Sequence, residues 1–328
     1  MSDKHAQTFR VAPAQANQTL AAALRQWLPG QSWSQVRKLV EARRVQVSGN
    51  LCMDPARRLK PDEVVAVLAS SAMAPPREED IRIRHLDKHI VVVEKPAGIT
   101  TLRHPEERDW PARRKQLQPT LDELLPKLIA RAEGTRPRKG GLPRVRAVHR
   151  LDRETSGLMV FARTVEAERG LGRQFRKHTV HRRYLAIVQG HVEAQTIRSR
   201  LVRDRGDKRR GSTTLPGVGK EAVTHIQPLE KLDGYTLIEC RLETGRTHQI
   251  RIHLAELGHP LCGERIYNKP LFGPPIDDAS GAPRVALHAA ELGFEHPVTG
   301  EMMRFATPLP PDLAGLLARL RKPARREK

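Results

Sequence analysis

The chain has 328 residues, with 58 Lys+Arg against 37 Asp+Glu and a net charge of +21. That length suits about two domains with cores of their own, and a field of that sign draws polyanions, RNA first among them. Three scattered cysteines are too few for a disulfide frame or a zinc cluster, and neither a leader-like apolar core nor an apolar run of spanning length occurs, so a cytoplasmic protein with no membrane partner is expected.

Residues 1–17 are polar and expected to be loose. Leu20, Leu24, Trp27 and Leu28 then share one helical face, and Ser32 with Gln35 three places on is a capping-box pattern opening a second helix, with Val36, Leu39 and Val40 inward. Around these apolar positions fall Arg37, Lys38, Arg43 and Arg44, followed by a short strand (Val45, Val47), the turn Ser48-Gly49-Asn50 and a further strand in LKPDEVVAV. The basic face is either a solvated surface or a set of phosphate contacts. Residues 71–80 break both periodicities, carry Pro75 and Pro76, and read as a linker.

Beyond the linker, Ile81 and Ile83 alternate, and the apolar strand Ile90 to Val93 runs into the turn Lys95-Pro96-Ala97-Gly98. The charged stretch 103–119 reads as a solvated loop in preference to an RNA-contacting insertion. Thr120 with Glu123 opens a helix whose buried stripe is Leu121, Leu124, Leu125, Leu128 and Ile129; Gly134 closes it and Pro126 should kink it. An alternating run (Val145, Ala147, Val148) then leads to the polar loop HRLDRETSG, residues 149–157, before an apolar strand from Leu158 to Ala162. Asp152 therefore sits on a loop between strands. An aspartate there often only caps its own turn, here through Thr155 or Ser156. The flanking Arg150 and Arg153 favour another role, because a carboxylate that acts on a polyanion needs fixed cations to keep its charge and admit phosphate.

Thr164 to about His178 reads as a helix, with Leu171 and Phe175 inward, and a strand follows with Tyr184, Ala186 and Val188 on one face. Residues 198–222 show no apolar period and read as a mobile loop or a phosphate-facing arm. His225 to Gln227 and Tyr235 to Leu242 are strands, the latter leading into TGRTHQIRIH, residues 244–253, which need not be helical. His248 and His253 lack the spacing of a metal site, and none is expected. A helix from Leu313 to Leu320 and a basic tail close the chain.

HRLDRETSG resembles the catalytic motif of the RluA-type pseudouridine synthases, and KPAG, RRYLAIVQG and TGRTHQIRIH are similar to further motifs of that family. Residues 18–70 resemble the small S-four RNA-binding module. The resemblance implies an α+β fold: a mixed, largely antiparallel β-sheet catalytic domain with flanking helices over residues 81–324, preceded by that small α/β module. It implies Asp152 as the catalytic carboxylate, Arg251 as its partner, and Tyr184 and Ile250 against the target base. Arg150, Arg153, Arg246 and His248 become substrate-binding candidates, and Arg37, Lys38, Arg43 and Arg44 phosphate-contact candidates. The target nucleotide must leave its stack. Asp152 would then either attack the anomeric carbon or remove the 2′ proton to give a glycal, and the sequence does not choose between them. Nothing is oxidised and no group is transferred between molecules, so no cofactor is expected. The implied partner is RNA, ribosomal before transfer RNA, and the protein is expected to be a monomer. A non-catalytic ribosome-assembly factor and a metal-dependent nuclease are the competing readings.

Overall fold

The structure is a computed structural model and describes residues 7–47, 50–68, 71–72, 76–104, 107–135, 142–207, 209–271 and 273–321. Ser48 and Gly49 of the expected turn, Pro75 of the expected linker and the basic tail after residue 321 lie outside them. The chain divides into two compact units, Met1–Pro75 with His104–Pro119, and Pro76–Arg103 with Thr120–Lys328.

In the first unit, strands β1 (Gln7–Arg10), β2 (Val45–Val47), β3 (Asn50–Leu51) and β4 (Val64–Val67) form an antiparallel sheet in the order β1-β4-β2-β3. Helices α1 (Leu20–Trp27) and α2 (Trp33–Glu41) are capped by Thr19 and Ser32, and the capping box of α2 closes with Ser32 N donating to Gln35 Oε1 at 2.6 Å. Leu20, Leu24, Val36, Val40, Val45 and Val65 fill the core between helices and sheet. Residues 7–10 are not loose. They form an edge strand on β4, and Phe9 stacks on Trp27 with ring centres 5.1 Å apart. An edge strand that leaves most side chains exposed has no apolar alternation to read. The stretch 103–119 also differs from the expected loop: it contains α3 (Ala112–Leu117), and Gln118 Nε2 donates to the Leu51 carbonyl at 2.8 Å.

The second unit is built on an 11-stranded sheet. Its strands are β5 (Arg82–Leu86), β6 (Ile90–Lys95), β7 (Arg146–Ala147), β8 (Ser156–Ala162), β9 (His181–Gln189), β10 (Gln195–Val202), β11 (Gly211–Thr213), β12 (Lys220–Leu232), β13 (Tyr235–Leu242), β14 (Leu287–Glu295) and β15 (Met302–Ala306). The order is β11-β10-β12-β13-β9-β14-β8-β6-β5, with β15 on β14 and β7 on β8. Among the described residues one pairing is parallel, β14 with β8, where His288 faces Ser156 and Ala289 faces Gly157; the others are antiparallel. The molecule is thus α+β, with a mixed and largely antiparallel sheet.

Among the described residues four α-helices accompany the sheet: α4 (Leu121–Ala132), α5 (Val165–Lys177), α6 (Gln249–Glu256) and α7 (Pro311–Leu320). The main apolar cluster joins Leu121, Leu125 and Ile129 of α4 to Val91, Met159, Tyr184, Ile238 and Leu254; Leu171 of α5 packs with Val160, Leu292 and Phe294. Helix α4 continues through Pro126. The stretch 198–222, read as a mobile loop or a phosphate-facing arm, contains the end of β10, all of β11 and the start of β12. Along β10 the inward Ile197, Ser199 and Leu201 alternate with exposed Arg198 and Arg200, but the polar Ser199 interrupts the apolar period that marks a strand. Among the described residues no helix is long and apolar enough to cross a membrane.

Candidate active site

The loop that carries Asp152 leaves β7 and returns at the first residue of β8, and its backbone is tied at both ends. Thr101 Oγ1 donates to the Leu151 carbonyl at 2.8 Å and accepts from Leu151 N at 3.2 Å. Gly98 N donates to the Arg153 carbonyl at 2.8 Å, while Arg153 Nε donates back to the Gly98 carbonyl at 3.1 Å. Lys95 is fully buried, and its ammonium donates to the carbonyls of Pro96, Ile99 and Arg153 at 3.0, 2.9 and 3.3 Å. Burial pushes this lysine down to about 7, against the pull of the nearby Asp152 carboxylate. On the other side Arg284 Nη1 donates to the Glu154 carbonyl at 2.9 Å and Nη2 to Ser156 Oγ at 3.0 Å, with Asp312 as its counter-charge. His149 Nε2 accepts from Val160 N at 3.1 Å and its ring stacks on Phe175 at 4.6 Å; burial, with Arg182 nearby, pushes it down to about 3 and keeps it a neutral acceptor.

Gly157, the second residue of β8, has φ +121°, a conformation L side chains rarely adopt, and a Cβ there would collide with the Ala289 backbone. The glycine is what lets β14 approach β8 for their parallel pairing. Thr155 N donates to the Asp152 carbonyl at 3.1 Å, so the turn closes through the backbone and the carboxylate is left to other partners.

Those partners come from the segment around α6. Asp152 Oδ2 lies 3.5 Å from Arg251 Nη1, and Oδ1 lies 3.7 Å from His248 Nε2. Arg251 is buried, and Glu264 grips its guanidinium at two points, Nε at 2.7 Å and Nη2 at 2.8 Å. Burial opposes the charge on Arg251, but the Glu264 carboxylate more than compensates and holds the guanidinium above its usual range. The remaining edge, Nη1, faces Asp152. The Asp152 side chain keeps 16% of its surface exposed, so a ligand can reach it. Tyr184, on the central strand β9, is buried in the same apolar cluster as Leu151 and Ile250; burial is the main reason its phenol is pushed up.

The sequence model described as RNA pseudouridylate synthase matches residues 89–256. A protein of Zymomonas mobilis subsp. mobilis named ribosomal large subunit pseudouridine synthase D is 36% identical over 270 residues, 81% of this chain and 81% of its own. One of the same name from Escherichia coli O157:H7 is 32% identical over 323 residues, covering 96% and 94%. The solved human RNA pseudouridylate synthase domain containing 4 is 25% identical, covers 73% of this chain and 92% of its own, and superposes with a TM-score of 0.56. This chain belongs to the RNA pseudouridylate synthase family. It is an isomerase that converts uridine to pseudouridine in RNA.

In this synthase, Asp152, Arg251 and His248 meet around one carboxylate, with Tyr184 and Ile250 in the adjoining core. The other expected residues are more dispersed in what they touch. Arg150 is exposed; Arg153 spends its Nε on Gly98; Arg246 Nε donates to the Glu221 carbonyl at 2.8 Å. In the first unit Arg37 and Lys38 are exposed on α2, whereas Arg43 Nε donates to the Ala72 carbonyl at 3.1 Å and Arg44 Nε to that of Leu68 at 2.8 Å. The two histidines of TGRTHQIRIH diverge. His253 is buried between Thr224 Oγ1 (2.9 Å) and Ser199 Oγ (3.0 Å), fixing α6 to the sheet, and burial pushes it down to about 4. Among the described residues no cluster of His, Cys, Asp and Glu could hold a metal ion.

Two contributors escape the sequence reading, Glu264 and Tyr267. Tyr267 Oη lies 2.6 Å from His248 Nδ1, and its ring lies 5.3 Å from the Arg251 guanidinium carbon. The available signal is a lone glutamate in an apolar run, LCGERIY, since a carboxylate buried in such company needs a cationic partner elsewhere.

Proposed function

We propose that Asp152 is the carboxylate that acts on the target nucleoside, and that the substrate is ribosomal RNA. The observation that carries the first part is an acid within reach of solvent whose counter-charge, Arg251, is itself locked by Glu264. Whether Asp152 attacks the anomeric carbon or removes the 2′ proton, it must act as an anion aimed at the sugar, and a fixed guanidinium provides for both. Tyr184 and Ile250 receive the extruded base, which offsets part of the cost of unstacking it. Arg150, Arg153, Arg246 and His248 serve the bound nucleotide and its phosphates. The ribosomal substrate is supported by the names of the relatives from Zymomonas mobilis and Escherichia coli.

Residues 18–70 act as the RNA-binding module, with Arg37, Lys38, Arg43 and Arg44 against phosphate. Residues 81–324 carry the chemistry, and the protein works in the cytoplasm as a monomer without a cofactor. The test is to incubate wild-type and Asp152→Asn protein with ribosomal RNA labelled with tritium at uracil carbon-5. The wild type releases tritium, and the variant releases it at least about a hundredfold more slowly. Equal release by the two proteins removes Asp152 from the reaction. Chemical mapping of pseudouridine in ribosomal and transfer RNA, with and without the gene, tests the substrate.

A further inference from the structure

His248 precedes α6 in the left-handed conformation, with φ +60°. Its ring nitrogens meet different groups: Nδ1 lies 2.6 Å from Tyr267 Oη, and Nε2 lies 3.7 Å from Asp152 Oδ1. Burial pushes the imidazole below its usual range and the Tyr267 phenol above its own, so the ring is neutral and the phenol keeps its proton. A neutral imidazole has one N–H, and a facing carboxylate oxygen draws that proton to Nε2. Nδ1 is then the acceptor for the Tyr267 hydroxyl.

The Nε2–H so assigned and Oδ1 are near neighbours, too far apart to bond each other directly. One atom seated against both, about 2.8 Å from each, must accept from the ring and donate to the carboxylate. A hydroxyl does both at one atom, whereas a carbonyl or an ammonium does one only. Arg251, at the other oxygen, is a donor alone and makes no such demand. In the nucleoside a catalytic carboxylate must approach, the hydroxyl beside the anomeric carbon is the ribose 2′-OH, the group that distinguishes RNA from DNA.

We propose that Tyr267 is a positioning residue that fixes His248 as an Nε2–H donor, so that His248 and Asp152 together bracket the 2′-hydroxyl of the target uridine. The inference rests on Asp152 being the catalytic carboxylate. Its test is a cycle of two changes, Tyr267→Phe in the protein and 2′-deoxyuridine for uridine at the mapped target position of an RNA fragment, with kcat/KM measured for all four combinations. Each change alone lowers kcat/KM by about tenfold, the effect of one neutral hydrogen bond. Together they lower it by little more than either alone, because both remove the same hydrogen bond. If the two losses multiply, and Tyr267→Phe discriminates ribo- from deoxyuridine as well as the wild type does, the assignment is overturned. His248→Ala run through the same cycle gives the same readout should Tyr267→Phe fail to fold. Asp152→Asn separates the two ideas: an active variant removes the underlying reading, while an inactive one combined with multiplicative losses removes only the hydroxyl assignment.

Discussion

The loop 149–157 and helix α2 are both studded with arginine or lysine, yet they hold their side chains in opposite ways. Around the loop, Thr101, Lys95, Gly98 and Arg284 are bonded to its backbone, and one acid is left with a fixed cation. On α2, Arg37 and Lys38 project into solvent from a helix whose other face is buried. The difference fits the tasks proposed for the two. A group that touches reacting atoms must be held to a fraction of an ångström, while a group that attracts phosphate needs only its charge and loses little by moving.

Three changes break or sharpen this contrast. The largest effect is expected from Gly157→Ala, which forces both a strained φ and a collision with Ala289. It should cost on the order of 3 kcal/mol in chemical denaturation and abolish tritium release together with stability. Next is Lys95→Met. A lysine depressed to about 7 in the folded protein and near 10.5 when unfolded contributes fully above 10.5, and that contribution is lost as pH falls through 7. Relative to wild type, the methionine variant should therefore gain stability on the order of a few kcal/mol as pH falls from 10.5 to 7, read as the pH dependence of the difference in unfolding free energy. A difference independent of pH across that window would mean the ammonium is not buried as described. The smallest effect belongs to Arg37→Ala with Lys38→Ala: unchanged Tm, weaker RNA binding, and a salt dependence shallower by about 0.7–0.9 for each phosphate no longer neutralised.

The same contrast explains what is legible from residues alone. HRLDRETSG and TGRTHQIRIH are dense with groups of one purpose, and they meet, as the 3.5 Å between Asp152 and Arg251 demonstrates. Helices α1, α2, α4, α5 and α7 are legible because apolar periodicity and side-chain caps are local, as at Ser32 and Thr164, whereas α3 and α6 are not. Strands with few apolar residues are not: β1 and β11 offer no apolar alternation to separate them from loop, and in β10 the inward Ser199 interrupts it. Glu264 and Tyr267 stay hidden for another reason. Their meaning lies in partners 13 and 19 positions away across a turn, and nothing in LCGERIY itself names those partners.

The parallel pairing of β14 with β8 also sets an order of assembly. The loop bearing Asp152 is secured to Arg284 and His288 across separations of 128, 130 and 132 residues. Contacts of that span close late in folding, because a long loop must lose its entropy before they are made. A nascent chain that has emerged only as far as β13 already holds the acid, its tyrosine and most of the sheet, but it lacks the strand against which the loop takes its shape. The loop thus takes its final shape only after β14 has been made.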